Sequence, residues 1–394
     1  MNENILGKDD RPRFFLVGNT PELALELPEP RHDVALRTMV RSLAGMQKEA
    51  LVVSSATGAA WRLVSDEGPY LNGHDEAPFP LAFLSAGMAA SYVTEIAALA
   101  DQRGLSVGAL RLTQDNYYTM EGSAIKGTMV GGALPPELKV EIEAESDPHL
   151  RSLCADAVDA SPLNGLLRGC NTSRFTLTYN GEAISLGKVA PIGLPALPDV
   201  ADRFEQVTVG GPDEADQLVL RSAAAELRDG EGGRGSSLQA EQRRTLHVRA
   251  TCVIRDDGVK DIEIHLFRPS GSSFRFLSEE PSDGQAGRAP DAATLISAGI
   301  GFCFMTQFGR YAAITKQPLD RYRIVQDTHF FFGGASGGTG RAGRADPVDT
   351  HVYVDTPEDE DFARMLLDMG EQTCFLHALC RTDLKPRLTV AAAG

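Results

Sequence analysis

The chain has 394 residues, 42% of them hydrophobic, and carries a net charge of −16. That length holds two or three domains of ordinary size, about 100–200 residues each, with real cores. The acidity excludes a binder of nucleic-acid backbones, which needs a basic face. Six cysteines are too few for a disulfide-stapled scaffold, and none stands in a CxxC or Cys/His spacing suited to zinc, so no metal and no cofactor is expected.

In chain order, the first fifteen residues (MNENILGKDDRPRFF) carry early acidic residues and no apolar stretch, unlike a secretory signal. With no run of 18 apolar residues, no membrane span is expected, and the chain reads as cytoplasmic. Strands are predicted at LVVSS and at WRLVS (Trp61–Ser65). A helix over Pro80–Gln102 is apolar nearly all round in its first half, so it should be buried. Next come a strand (ALRLTQDNYY), a glycine-rich turn, a strand (LKVEIEAE), a helix over Pro148–Leu167 and a strand (RFTLTYN).

Residues 187–244, rich in Pro, Gly and charge, read as a linker with one short helix around Ala215–Leu227. Strands LHVRATCVI, IEIHLF and FRFLS then lead to a helix over Ala292–Thr315 and a strand (RYRIVQDTHFFF). The run FFGGASGGTGRAGR (Phe331–Arg344) matches no phosphate loop and reads as a flexible hairpin connection. A strand (THVYVDT), a helix over Glu358–Leu379 and a strand (RLTVAA) complete the chain.

The second series repeats the first. Ser85–Ser91 (SAGMAAS) matches Ser297–Cys303 (SAGIGFC) at an offset of 212, and Arg111 and Gln114-Asp115 match Arg323 and Gln326-Asp327. At an offset of 213, Trp61–Glu67 matches Phe274–Glu280, and Ser161–Arg168 matches Cys374–Arg381. The order and near-constant spacing of these blocks point to an internal duplication. Residues 1–186 form the first repeat and 245–394 the second.

Only the second repeat has cysteine at two of the matched positions. Cys303 sits mid-helix and Cys374 late in the next helix, where the first repeat has Ser91 and Ser161. Paired loss of two thiols to two serines suggests coupled positions, against the plainer reading of two inert core cysteines. Cys154, Cys170, Cys252 and Cys380 have no cysteine counterpart and read as structural, and Trp61 and Phe274 as core aromatics.

Strands, a central helix with a mid-helix cysteine, and a second helix with a second cysteine about 70 residues on: this order resembles the OsmC/Ohr family (osmotically inducible protein C and organic hydroperoxide resistance proteins). The segments YLNGHDEAPFPLAFLSAGMAAS and APDAATLISAGIGFCF carry the likeness. The resemblance implies an α+β fold of two domains, each a mainly antiparallel sheet on a buried central helix. Joined in one chain, they would form a covalent pseudo-dimer with sites at the interface, and further homo-oligomers are open.

It also implies a peroxidase acting on a small organic hydroperoxide, with Cys303 as the peroxide-reactive thiol, Cys374 as the resolving one and an external thiol or dithiol as reductant. The family holds its thiolate with an arginine from the early strands, for which Arg249, Arg255 and Arg275 are candidates, with Arg310 a local one two turns along the helix from Cys303. The chain departs from the family in having Ala293 where a glutamate precedes the reactive cysteine by ten residues, and Phe375 where proline follows the second. An alternative reading pairs Cys303 or Cys374 as nucleophile with His377 as proton carrier in a cysteine hydrolase. His377, like His329, has a plainer reading as a structural histidine. A third reading is a pseudo-dimer that binds an apolar ligand without catalysis.

Overall fold

A computed structural model describes residues 3–143, 149–211, 217–224, 242–331, 334–335 and 338–393. The fold is mixed α+β with two large sheets. The first repeat supplies β1 (Val34–Ser42), β2 (Lys48–Ser54), β3 (Ala60–Ser65), helix α1 (Pro80–Gln102), β4 (Leu110–Gly122), β5 (Glu137–Glu143), helix α2 (Leu150–Ala160) and β6 (Arg174–Tyr179). The second supplies β7 (Gln242–Ile254), β8 (Lys260–Arg268), β9 (Ser273–Ser278), helix α3 (Ala292–Thr315), β10 (Arg321–Phe331), β11 (Asp349–Asp355), helices α4 (Glu360–Thr373) and α5 (Phe375–Arg381), and β12 (Arg387–Ala393).

Neither repeat keeps its strands together. The first sheet runs β6-β11-β10-β1-β2-β3, and the second runs β12-β5-β4-β7-β8-β9. The opening hairpins of each repeat therefore join the later strands of the other. The joins are antiparallel, β1 to β10 and β7 to β4, whereas β6 and β12 add in parallel beside β11 and β5. Arg37 faces Asp327 across one join and Arg249 faces Asp115 across the other, each in a two-pronged ion pair with contacts of 2.8–2.9 Å. These two pairs occupy matching positions in the repeats.

The helices α1 and α3 lie side by side between the sheets, and their apolarity is spent on that burial. Each is long and apolar enough to span a membrane, yet 83% and 94% of their most apolar windows are buried inside the fold. Their crossing depends on two matching glycines. A Cβ at Gly87 would stand 2.6 Å from the Ala292 carbonyl oxygen, and one at Gly299 would stand 2.9 Å from the Leu84 nitrogen. Pro80 opens α1, and Asp291 caps α3 by accepting from the Thr294 amide at 2.7 Å.

The structure corrects several expectations. The first repeat opens with four strands, not two: Phe15–Val17 pairs at the edge with β3, and Val34–Ser42 pairs centrally with β10. The lack of clean alternation hid the central one: Met39 faces out beneath an apolar cover of Phe15, Leu23, Phe204 and Val207, while Leu36 and Val40 face in, so both faces are buried. Phe204 and Val207 belong to the linker, which thus packs against the first sheet. In place of the short linker helix, Val219–Ala223 forms a strand on β9; residues 212–216 and 225–241 lie outside the described residues. The glycine-rich connection returns as a two-residue strand, Arg344–Ala345, on β10, with residues 332–333 and 336–337 outside the described ones.

Both second helices are broken, at Ser161 and Cys374. These residues leave the helical region (ψ 122° and 119°), and each caps the next turn with its own side chain. The Asn164 amide donates to Ser161 Oγ at 3.4 Å, and the His377 amide donates to Cys374 Sγ at 3.5 Å. A cap preference, not helix propensity, therefore governs both positions.

Candidate active site

Cys303 is carried on α3, whose inward packing leaves the thiol 2% exposed. The helix break brings Cys374 over it, and the two thiols are in side-chain contact. In the first repeat the matching hydroxyls, Ser91 and Ser161, hydrogen-bond at 2.8 Å. Burial is the main force that pushes the Cys303 pKa well above that of a free thiol, and contact with Cys374 adds to it. The Leu376 amide, at the start of α5, donates to Cys303 and acts the other way.

The cation beside Cys303 comes from the other repeat. Lys48, the first residue of β2, is fully buried, and Cys303 is among the groups that favour its charge. Burial lowers the Lys48 pKa, while Glu67 and Asp66 hold it up. Glu67 lies just past the end of β3 and accepts from the Tyr70 hydroxyl at 2.6 Å and from Thr306 Oγ1 of α3 at 3.4 Å. Its pKa is raised by burial, against the pull of Lys48. Tyr118 of β4 also faces the thiols: burial raises its pKa, with Cys303 next. A thiolate formed at Cys303 would thus meet the Leu376 amide, which favours it, and the Glu67 carboxylate, which opposes it, with Lys48 the buried cation whose charge both the carboxylate and the thiolate favour.

Three of the four arginine candidates stand elsewhere. Arg249 is held by Asp115, Arg255 by Asp257 and Arg275 by Asp261, with side chains 40%, 43% and 33% exposed. The strand exchange explains this, because β7–β9 serve the sheet that packs on α1, whereas the thiols sit on the sheet formed with β1–β3. Arg310 is buried on α3, where burial brings its pKa down to about 9, the charge of Arg244 lowers it further and Glu67 opposes the fall. Its Nε and Nη2 take no hydrogen-bond partner.

His377 does not address Cys374 through its ring. The imidazole stacks on Phe304 at 4.9 Å and tilts against Phe175 at 5.7 Å, and neither ring nitrogen has a hydrogen-bond partner. Burial brings its pKa down to about 3, so it is neutral and weakly basic. His329 is likewise buried, with its pKa lowered by burial. Cys154, Cys252 and Cys380 are buried with pKa values raised to about 11, 12 and 12, and Cys170 is exposed.

Sequence reasoning missed Lys48 and Glu67, although a signal was present. Lys48 and Lys260 stand 212 residues apart, and Glu67 and Glu280 stand 213 apart, so both repeats keep the couple. Among the described residues no group of three or more His, Cys, Asp or Glu side chains is placed to hold a metal ion. No protein-family model matches the chain, and neither a curated protein nor a solved structure matches it.

Proposed function

We propose that the chain is a covalent pseudo-dimer of the OsmC type whose second repeat carries a thiol peroxidase centre for organic hydroperoxides. One observation carries the reading: Cys303 and Cys374, from separate elements, are in side-chain contact with a buried lysine of the opposite repeat close by. The Cys303 thiolate attacks the distal oxygen of the hydroperoxide. The O–O bond breaks, the alkoxide leaves and takes a proton as the alcohol, and sulfur is oxidised to a sulfenic acid. The Cys374 thiol condenses with it, releasing water and forming the disulfide. An external dithiol then gives up two electrons and two protons, returning both thiols and becoming a disulfide itself. The Leu376 amide eases ionisation of a thiol that burial, Cys374 and Glu67 otherwise hold protonated, and a Cys303 thiolate would in turn favour the Lys48 charge.

The hydrolase reading lacks its base, because the His377 ring is turned onto two phenylalanines and is barely basic. The test is consumption of cumene hydroperoxide with excess dithiothreitol. Wild type should consume it catalytically, and Cys303→Ser should reduce consumption to the uncatalysed rate. Cys374→Ser should leave a sulfenic acid on Cys303 that dimedone traps. Unchanged consumption in Cys303→Ser refutes the proposal.

A further inference from the structure

The hydroxyl-bearing counterpart of the thiol centre has not been packed shut. A cavity of about 330 Å³ remains beside Ser91, walled by α1, the start of α3 and the segment after β9. That volume falls in the range of small-ligand pockets, about 300–1,000 Å³. Most of its wall is apolar, including Val34, Leu163 and Pro281, but three carboxylates reach it: Glu95, Glu280 and Asp291.

Two of these carboxylates are engaged. Asp291 caps α3, accepting from the amide and hydroxyl of Thr294 at 2.7 and 3.1 Å. Glu95 accepts from the Ala335 amide at 2.8 Å. Glu280 differs: its side chain is 34% exposed and the Ala292 amide serves the carboxylate, but its Oε1 is itself shielded from solvent and accepts no hydrogen bond. Lys260 stands 4.0 Å away, too far to satisfy it. Burial raises the Glu280 pKa to about 7, with Lys260 opposing the rise and Asp291 adding to it.

The acidity is particular to this half. At the matching positions around the thiols, Glu95 becomes Gln307 and Asp291 becomes Phe79, while the lysine–glutamate couple is common to both. The hydroxyl site thus has two extra carboxylates at its cavity, Glu95 from the first repeat and Asp291 from the second. A neutral or anionic guest leaves Glu280 Oε1 unpaired, and an ammonium satisfies it.

We propose that this cavity binds a small organic cation, a primary ammonium on an apolar body, with Glu280 Oε1 as its main acceptor and the Ser91 and Thr94 hydroxyls beside it. The site does not depend on the thiol chemistry of the other half.

Isothermal titration of the full-length protein with benzylammonium and hexylammonium at pH 8 tests this, with benzyl alcohol and benzoate as matched controls. Both ammonium ions should bind one per chain, at least tenfold more tightly than either control. Glu280→Gln should weaken them at least tenfold. So should Ala56→Trp, a plug at an exposed position lining the cavity, and it carries the test if Glu280→Gln does not fold. The Cys303→Ser/Cys374→Ser variant should bind as wild type, which separates this site from the peroxidase reading. Failure of both ammonium ions to bind, equal binding of benzyl alcohol, or undiminished affinity in folded Glu280→Gln or in Ala56→Trp overturns the proposal.

Discussion

Replacing Ser91 and Ser161 together by cysteine should create a disulfide in the first repeat. The two hydroxyls are 2.8 Å apart and come from positions 70 residues apart. Carbon–sulfur bonds are longer than carbon–oxygen bonds, so thiols on the same Cβ atoms approach still closer, towards the S–S length of about 2.0 Å. Closing a loop of that size removes chain entropy from the unfolded state worth about 4.4 kcal/mol by the loop-length relation, an upper figure if the bond strains the native packing. The assay is denaturant unfolding of the double variant in a Cys303→Ser/Cys374→Ser background, with and without reductant. A non-reducing peptide map locates the bond. Expected are a cross-link between the two substituted positions on mild oxidation and a large loss of stability when it is reduced. Two free thiols after diamide treatment, or a gain below about 1 kcal/mol, would refute the claim that the hydroxyl pair keeps the geometry of a redox pair.

Other outcomes follow from the same contacts. Lys48→Met should raise the pH midpoint for alkylation of Cys303 and slow hydroperoxide consumption at least tenfold, since one pKa unit is worth about 1.4 kcal/mol; unchanged kinetics would remove Lys48 from the centre. His377→Phe should keep peroxide consumption and make the protein more resistant to acid. The folded His377 pKa is depressed to about 3 from an unfolded value of about 6.5, so its neutral form favours folding above pH 6.5 and the benefit is lost as pH falls towards 3. The variant should therefore gain on wild type by about 1.4 kcal/mol per pH unit across that window, read from unfolding midpoints at pH 7 and pH 4.5. Gly87→Ala should destabilise the fold by about 1–3 kcal/mol, because its new methyl meets Ala292 backbone at 2.6 Å; a neutral effect would mean the helices shift apart freely.

Much of the architecture was legible because it is local. The bounds of α1 and α3 follow from apolar runs opened by Pro80 and by the Asp291 cap, and their all-round apolarity announced burial on every side. The repeat was legible because matched residues keep their spacing. Less visible was the break at Cys374, since a helix-capping role for cysteine has no strong sequence signature. His377 consequently read as a neighbour of the Cys374 side chain on one helix face, whereas only its backbone amide reaches that sulfur.

By itself the sequence determined the doubled order of elements, the class of fold and the asymmetry of two thiols against two hydroxyls, all of which depend on residues near in the chain or at fixed offsets. Which partner each hairpin takes was decided only in three dimensions. Pairing β1 with β10 and β7 with β4 carries Lys48 and Glu67 to the thiols and turns Arg249 away towards Asp115. Strand exchange of this kind leaves no trace in local patterning, because a strand shows the same alternation whichever neighbour satisfies its backbone hydrogen bonds.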